Sequence, residues 1–242
     1  MSGTLIFTPT WLTDAGPAMR RETRASIQEQ RLPSSLGAME WVIGVENPFG
    51  PHDLRNVLHQ YRNAWRAALE GRFDALVTVE HDIRLPDDGA LKRLLATDAE
   101  VVFGVYMLRH GEPVLNTYRF EGDKNVGQSL TLHRRDLMAA RRRATVRVSG
   151  VGWGCTLLRR SVLERMDLSD GGGENPAGDT AFAAACLQAK IPMLARWDVM
   201  CGHYDPQRGW LWPFKECATM VKVIGVQRVI MRGGFRVPPG VE

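Results

Sequence analysis

The sequence predicts an α/β fold, with a mixed, mainly parallel central sheet flanked by helices. Three observations carry this. Short apolar runs at Leu5–Thr8, Trp41–Val45, Ala75–Val79 and Val101–Tyr106 read as buried strands. Helical stretches lie between them, so strand and helix alternate. Ala75-Leu76-Val77-Thr78-Val79 is almost unbroken in its apolarity, as suits a strand covered on both faces of a parallel sheet.

The elements follow in order. Leu5–Thr8 ends at Pro9, and a polar stretch from Ala18 to Gln30 reads as helix until Pro33-Ser34-Ser35 breaks it. Trp41–Val45 ends at Glu46-Asn47-Pro48. Leu54, Val57, Leu58, Tyr61, Trp65, Ala68 and Leu69 recur at three- and four-residue spacings, which predicts a helix with these residues on its buried face. Gly71 is its expected stop. Pro86 and Asp87 open a short helix through Leu91 and Leu94-Leu95. In the second half, Leu115–Phe120 and Gln128–Leu132 are expected to form a hairpin. Thr145–Val148, Cys155–Leu158 and Met193–Trp197 read as strands, and Ser161–Met166 and Asp179–Gln188 as helices. No repeat or low-complexity linker divides the chain. Residues 1–242 therefore read as a single domain, with 206–242 as a C-terminal extension of unassigned structure.

Composition narrows the class. With 242 residues, 44% of them hydrophobic and 24% charged, the chain has enough apolar surface for one substantial core. No apolar run reaches the roughly 18 residues of a membrane span. Met1-Ser2-Gly3-Thr4 does not resemble the start of a secretion signal. Cys155, Cys186, Cys201 and Cys217 show neither Cys-x-x-Cys nor zinc spacing, and read as reduced, buried thiols. The expected location is cytoplasmic. The net charge of +4 leans toward anionic partners. Arg141-Arg142-Arg143 is either a solvated face or a phosphate contact.

Val79-Glu80-His81-Asp82 is the most informative place. Two carboxylates directly follow a buried strand, and open α/β sheets bind ligands beyond the carboxyl ends of their strands. Hard divalent cations take oxygen ligands, commonly one or two carboxylates plus substrate phosphates. The plainer reading is an acidic loop leading into the helix after Pro86. Strand alternation would turn His81 away from its neighbours.

Phe73-Asp74-Ala75-Leu76-Val77-Thr78-Val79-Glu80-His81-Asp82-Ile83 resembles the core strand and Asp-x-Asp motif of GT-A fold glycosyltransferases. Glu80 stands in the first acidic place and Asp82 in the second. Tyr61-Arg62-Asn63-Ala64 is similar to the arginine-asparagine helix of the family-2-like group. Gly152-Trp153-Gly154-Cys155-Thr156-Leu157-Leu158-Arg159-Arg160-Ser161-Val162-Leu163 resembles the glycine-rich turn, strand and helix beside the sugar site. Gly178-Asp179-Thr180-Ala181-Phe182 resembles the acidic helix start that carries the catalytic base of inverting members, with Gly178 where Glu is common. Cys201-Gly202-His203-Tyr204 looks like the late histidine that completes the metal site.

The resemblance implies a metal-dependent transferase using a nucleoside-diphosphate sugar and an acceptor hydroxyl. Asp82, Glu80 and His203 would hold Mn²⁺ or Mg²⁺, and imidazole favours Mn²⁺. Asp179 would be the general base, with Glu174, beside Gly171-Gly172-Gly173, in reserve. Thr8, Pro9, Glu46, Asn47, Arg62, Glu80, Gly152, Trp153 and Gly154 would line the donor site. Each residue also has a plain alternative. Asp179 suits a helix N-cap, Asn47 and Pro9 suit turns, Trp153, Trp210 and Trp212 suit a core, and His203 suits a loop. The rival functions are a nucleotidyltransferase making nucleotide sugars and a nucleic-acid-binding module. The first expects a glycine-rich basic loop after the first strand, where Thr8-Pro9-Thr10-Trp11 stands. The second expects salt-sensitive binding without turnover.

Overall fold

The computed structural model describes residues 3–50, 53, 55–109, 115–118, 144–166, 178–213, 219–224 and 227–232. In chain order these form β1 (Gly3–Pro9), β2 (Leu12–Thr13), β3 (Gly16–Pro17), α1 (Arg21–Gln28), β4 (Ala38–Gly44), α2 (Arg55–Glu70), β5 (Ala75–Val79), β6 (Ile83–Arg84), α3 (Ala90–Leu95), β7 (Val101–Val105) and β8 (Thr117–Tyr118). They continue with β9 (Thr145–Val148), β10 (Gly150–Val151), β11 (Cys155–Arg159), α4 (Arg160–Arg165), α5 (Gly178–Gln188), β12 (Met193–Met200), β13 (Gly202–Asp205), β14 (Gly209–Leu211), β15 (Thr219–Ile224) and β16 (Gln227–Arg232).

The central sheet has seven strands in the order β4-β1-β5-β11-β7-β12-β9. Strands β4, β1 and β5 run parallel, as do β7 and β12, while β11 and β9 run against their neighbours. The fold is α/β with a mixed, mainly parallel sheet, as the sequence predicts. Every residue of β1, β5 and β7 is buried. These are the continuous apolar runs, and covering both faces is what hides them. β4 is exposed or half-buried along its length because it lies at the sheet edge. Among the described residues no helix is long and apolar enough to cross a membrane. Cys155, Cys186 and Cys201 are free and buried, and burial pushes the Cys186 thiol up to about 12.

Helix α2 forms where predicted, but its buried face is rotated. Tyr61, Ala64, Trp65 and Ala68 face the core, together with the polar Asn56 and Gln60, while Val57 is 41% exposed. The amides are buried because each is hydrogen-bonded there, a reason that apolar periodicity does not register. The helix stop also differs. Arg72, not Gly71, adopts the left-handed conformation, with φ 57°. Gly71 is needed for space, since a Cβ there would meet the Phe73 ring at 2.5 Å and the Ala67 carbonyl at 2.9 Å.

Thr117–Tyr118 pairs antiparallel with Gly150–Val151, and the other limb of the expected hairpin, Gln128–Leu132, lies outside the described residues. Arg141-Arg142-Arg143 and Cys217 lie outside them too. Part of the stretch after Gly209 resolves into β14, which completes a three-stranded sheet in the order β14-β13-β6. In it His203 pairs with Ile83 and Gly202 with Arg84, and the Tyr204 N–H donates to the Asp82 carbonyl at 2.9 Å. This small sheet brings two distant stretches of chain to one place.

Candidate active site

A cleft of about 840 Å³ opens beyond the carboxyl ends of β1 and β5. Pro9, Thr10 and Trp11 follow β1 into one wall, and Glu80, His81 and Asp82 follow β5 into another. Asn47, Asn56 and Gln60 line it from the turn after β4 and from α2. Parallel strands ending side by side leave such a crevice by construction.

Strand β5 stops at Val79, and residues 80–82 turn. Alternation therefore does not apply to His81, which lines the cleft with its neighbours instead of turning away. Its ring meets the Trp11 ring edge-on, with centroids 4.8 Å apart. The Glu80 N–H donates to the Gly154 carbonyl at 3.0 Å, and the Tyr61 hydroxyl donates to Glu80 Oε1 at 2.9 Å. Burial and the charge of Asp82 push the Glu80 carboxyl up to about 7, although the Tyr61 hydrogen bond and His203 act the other way. Asp179 adds to the upward push on Glu80.

Asp82 is only 3% exposed. Its Oδ2 accepts from the Arg109 guanidinium and lies 3.6 Å from His203 Nε2 and 3.9 Å from His81 Nε2. Burial opposes its ionisation, but the hydrogen-bonding reach of His203 and the charges of His81, His203 and Arg109 outweigh that. The carboxyl is held well below the usual range. His203 is 6% exposed, and its Nδ1 lies 2.7 Å from the Met107 carbonyl. A carbonyl only accepts, so Nδ1 carries the proton and Nε2 faces Asp82. Burial pulls the imidazole down, and Asp82 more than reverses it, so its pKa is raised. Asp82 Oδ1 and His203 Nε2 are both buried with no hydrogen-bond partner.

The structure brings Asp82 and His203 together, with His203 Nε2 3.6 Å from Asp82 Oδ2. Glu80 lines the same cleft, yet among the described residues no three His, Cys, Asp or Glu side chains converge as a metal-holding set. The Tyr61 hydrogen bond holds the Glu80 carboxylate, and Arg109 stands at Asp82.

Of the residues proposed for the donor site, Pro9 and Asn47 line the cleft, as does Glu80. Thr8 does not. It is fully buried, with its Oγ1 accepting from Trp41 Nε1 at 3.1 Å, and Thr10 takes the place at the cleft. The Glu46 carboxylate accepts from Asn63 Nδ2 at 3.0 Å and lines a separate, smaller recess. Arg62 is half-buried on α2 and is not among the residues lining the cleft. Trp153 is a core residue, 3% exposed, with its ring 4.3 Å from Tyr61 and 5.5 Å from Phe182 between centroids. Gly152 and Gly154 are glycines for internal packing. A Cβ on Gly152 would meet the Asn116 amide and Tyr106 hydroxyl at 2.3 Å, and one on Gly154 the Tyr106 ring at 2.7 Å. Gly154 still serves the site through its carbonyl, which fixes Glu80. Asp179 lies in the first turn of α5, half-buried. Glu174 lies outside the described residues. Trp212 is buried and Trp210 half-buried, so both pack rather than stand free.

Three site residues have no signal in the sequence. Gln60 sits inside a helical pattern in which nothing marks it as cleft-facing, and Tyr61 reads there as a core residue with nothing to mark it as the holder of Glu80. Arg109 is one of many arginines, and only the folded chain sets it on Asp82.

No family model matches the chain, and no curated protein matches it. Among solved structures, A197 from STIV is similar with a TM-score of 0.55 at 18% identity, over 86% of this chain and 93% of that one. At that identity the likeness shows the fold alone. The mannosyltransferase PcManGT from Pyrobaculum calidifontis, in complex with GDP-Man and Mn²⁺, gives a TM-score of 0.48 at 16% identity, over 86% of this chain and 58% of that one. UTP-bound UGPase from Acinetobacter baumannii gives 0.44 at 10% identity, over 81% of this chain and 86% of that one.

Proposed function

We propose that this chain is a glycosyltransferase that moves a sugar from a nucleoside-diphosphate donor to an acceptor hydroxyl, with Mn²⁺ or Mg²⁺ held at Asp82 and His203. The observation that carries this is the pair of buried, unpartnered atoms, Asp82 Oδ1 and His203 Nε2, beside the cleft. Buried polar atoms without partners are rare in folded proteins, and a carboxylate facing an imidazole nitrogen suits a cation. Met107 orients the imidazole from behind, as carbonyls commonly do for metal-binding histidines. The resemblance of the Glu80–Asp82 and Cys201–Tyr204 segments to the transferase motifs points the same way.

When bound, the cation supplies Lewis-acid neutralisation of charge on the diphosphate leaving group. The chain does the rest. The cleft volume suits a nucleotide ligand. Pro9, Thr10 and Asn47 shape its wall, and Glu80, held by Tyr61, faces the donor. Asp179 is the proposed base, taking the proton of the acceptor hydroxyl as that oxygen attacks the anomeric carbon with inversion. Glu174 is the alternative base. The sequence of steps needs the acceptor and the donor bound together at the same end of the sheet.

The test is a thermal-shift screen of UDP, GDP, CDP and dTDP, each with and without Mn²⁺, on wild type and Asp82→Asn. One diphosphate is expected to stabilise the wild type only with metal, by about 2.7 kcal/mol at a hundred times its dissociation constant. Asp82→Asn should abolish the effect. No shift with any diphosphate would overturn the reading. Pyrophosphate release from a nucleoside triphosphate would assign the cleft to nucleotidyl transfer instead.

A further inference from the structure

We propose that Arg109 is a resident counter-cation, displaced from Asp82 by the divalent ion and then transferred to the donor diphosphate. This deepens the transferase reading and rests on it. The starting point is the crowding at one oxygen. Arg109, His203 and His81 all converge on Asp82 Oδ2, while Oδ1 has no partner. A buried carboxylate needs a positive neighbour, and of these three only the guanidinium is charged at every accessible pH. Arg109 therefore supplies at Asp82 the positive charge that a bound cation would otherwise supply.

A cation at Oδ1 and a guanidinium at Oδ2 would share one buried carboxylate, and two positive groups that close repel strongly. A divalent ion at Asp82 must push the guanidinium aside, and the geometry gives it somewhere to go. The Arg109 side chain is 35% exposed and lines the cleft. Its main chain is pinned. Arg208 Nη2 donates to the Arg109 carbonyl at 2.6 Å, and Asp205 holds Arg208 at 3.0 Å. Two residues earlier, the Met107 carbonyl accepts from His203. The side chain can swing while the backbone stays. A guanidinium presents paired N–H donors that match phosphate oxygens, so the diphosphate is the natural recipient. The exchange leaves no charge uncompensated before or after the ligands bind.

The test uses the full-length protein, with Mn²⁺ affinity read by electron paramagnetic resonance. The affinity of the matching nucleoside diphosphate is read by calorimetry at saturating Mn²⁺. Arg109→Gln should bind Mn²⁺ alone about tenfold more tightly than wild type, and the diphosphate about tenfold more weakly. Arg109→Lys keeps the charge, so it should lie between the two in both measurements and serves if the glutamine variant folds poorly. Asp82-dependent Mn²⁺ binding that is unchanged or weaker in Arg109→Gln overturns the exchange and leaves the transferase reading standing. Absence of Asp82-dependent Mn²⁺ binding in both wild type and Arg109→Gln overturns both.

Discussion

The two walls of the cleft are built on opposite principles. On one, Thr10, Asn47 and Gln60 form a closed hydrogen-bond network, and Asn56 separately ties the turn after β4. Gln60 Oε1 accepts from the Thr10 N–H at 3.1 Å, and its Nε2 donates to the Thr10 carbonyl at 2.7 Å and to Asn47 Oδ1 at 2.9 Å. Asn56 accepts from the Phe49 N–H and donates to the Gly50 carbonyl. On the other wall, Asp82 Oδ1 and His203 Nε2 lack partners and Glu80 holds its proton unusually tightly. The satisfied wall is architecture and fixes the shape of the cleft. The other wall leaves two buried polar atoms without hydrogen bonds and a carboxyl with a shifted pKa, and that is where chemistry is expected.

The sharpest way to break this comparison is at Gln60. Gln60→Ala removes its hydrogen bonds to the Thr10 N–H and carbonyl, which keep the Gly44 carbonyl and the Asn47 amide as partners, and leaves Asn47 Oδ1 without its donor, so unfolding free energy should fall by about 3 kcal/mol. Urea denaturation measures it, and a loss below about 1 kcal/mol would show that the network is not structural. On the other wall the sign reverses. The folded protein holds the Glu80 proton up to about 7, above the ordinary carboxyl value, so stability falls as pH rises between those two values. Glu80→Gln removes that penalty. It should be more stable than wild type at pH 8, by on the order of 2 kcal/mol, and equal to it at pH 4. Denaturation of the metal-free proteins at both pH values checks it.

Tyr61→Phe should move less. Its hydroxyl favours the ionised form of Glu80, so the Glu80 midpoint should rise, and stability at pH 8 should drop by about 1 kcal/mol. Carboxyl-resonance titration by nuclear magnetic resonance follows the midpoint. The smallest effect belongs to the rim. Trp11 is 46% exposed, and Trp11→Ala should change stability by about 0.5 kcal/mol or less in thermal melts.

The sheet was readable in the sequence because long apolar runs have few alternative fates. Ala75–Val79 and Val101–Val105 form where the pattern puts them. The half-readable parts are those where polar satisfaction overrides periodicity. Val57 faces solvent because the hydrogen-bonded Asn56 and Gln60 take the inward positions. Asp82 stood out as a carboxylate just past a buried strand. His203 is legible only by resemblance, since the four-residue strand β13 and the two-residue strand β6 it pairs with are too short to leave a period. Arg109 was invisible, because an ion pair between distant segments has no local signature.

The pairing of Ile83 with His203 also bears on how the protein reaches its native state. It joins residues far apart in the chain, so the loop between them must close before the contact forms. Such non-local closures belong to the slow part of folding. Asp82 and His203 therefore come together only after the stretches carrying them have docked. A ligand that bridges Asp82 and His203 ties these two stretches together, so it is expected to slow unfolding as well as to stabilise the fold.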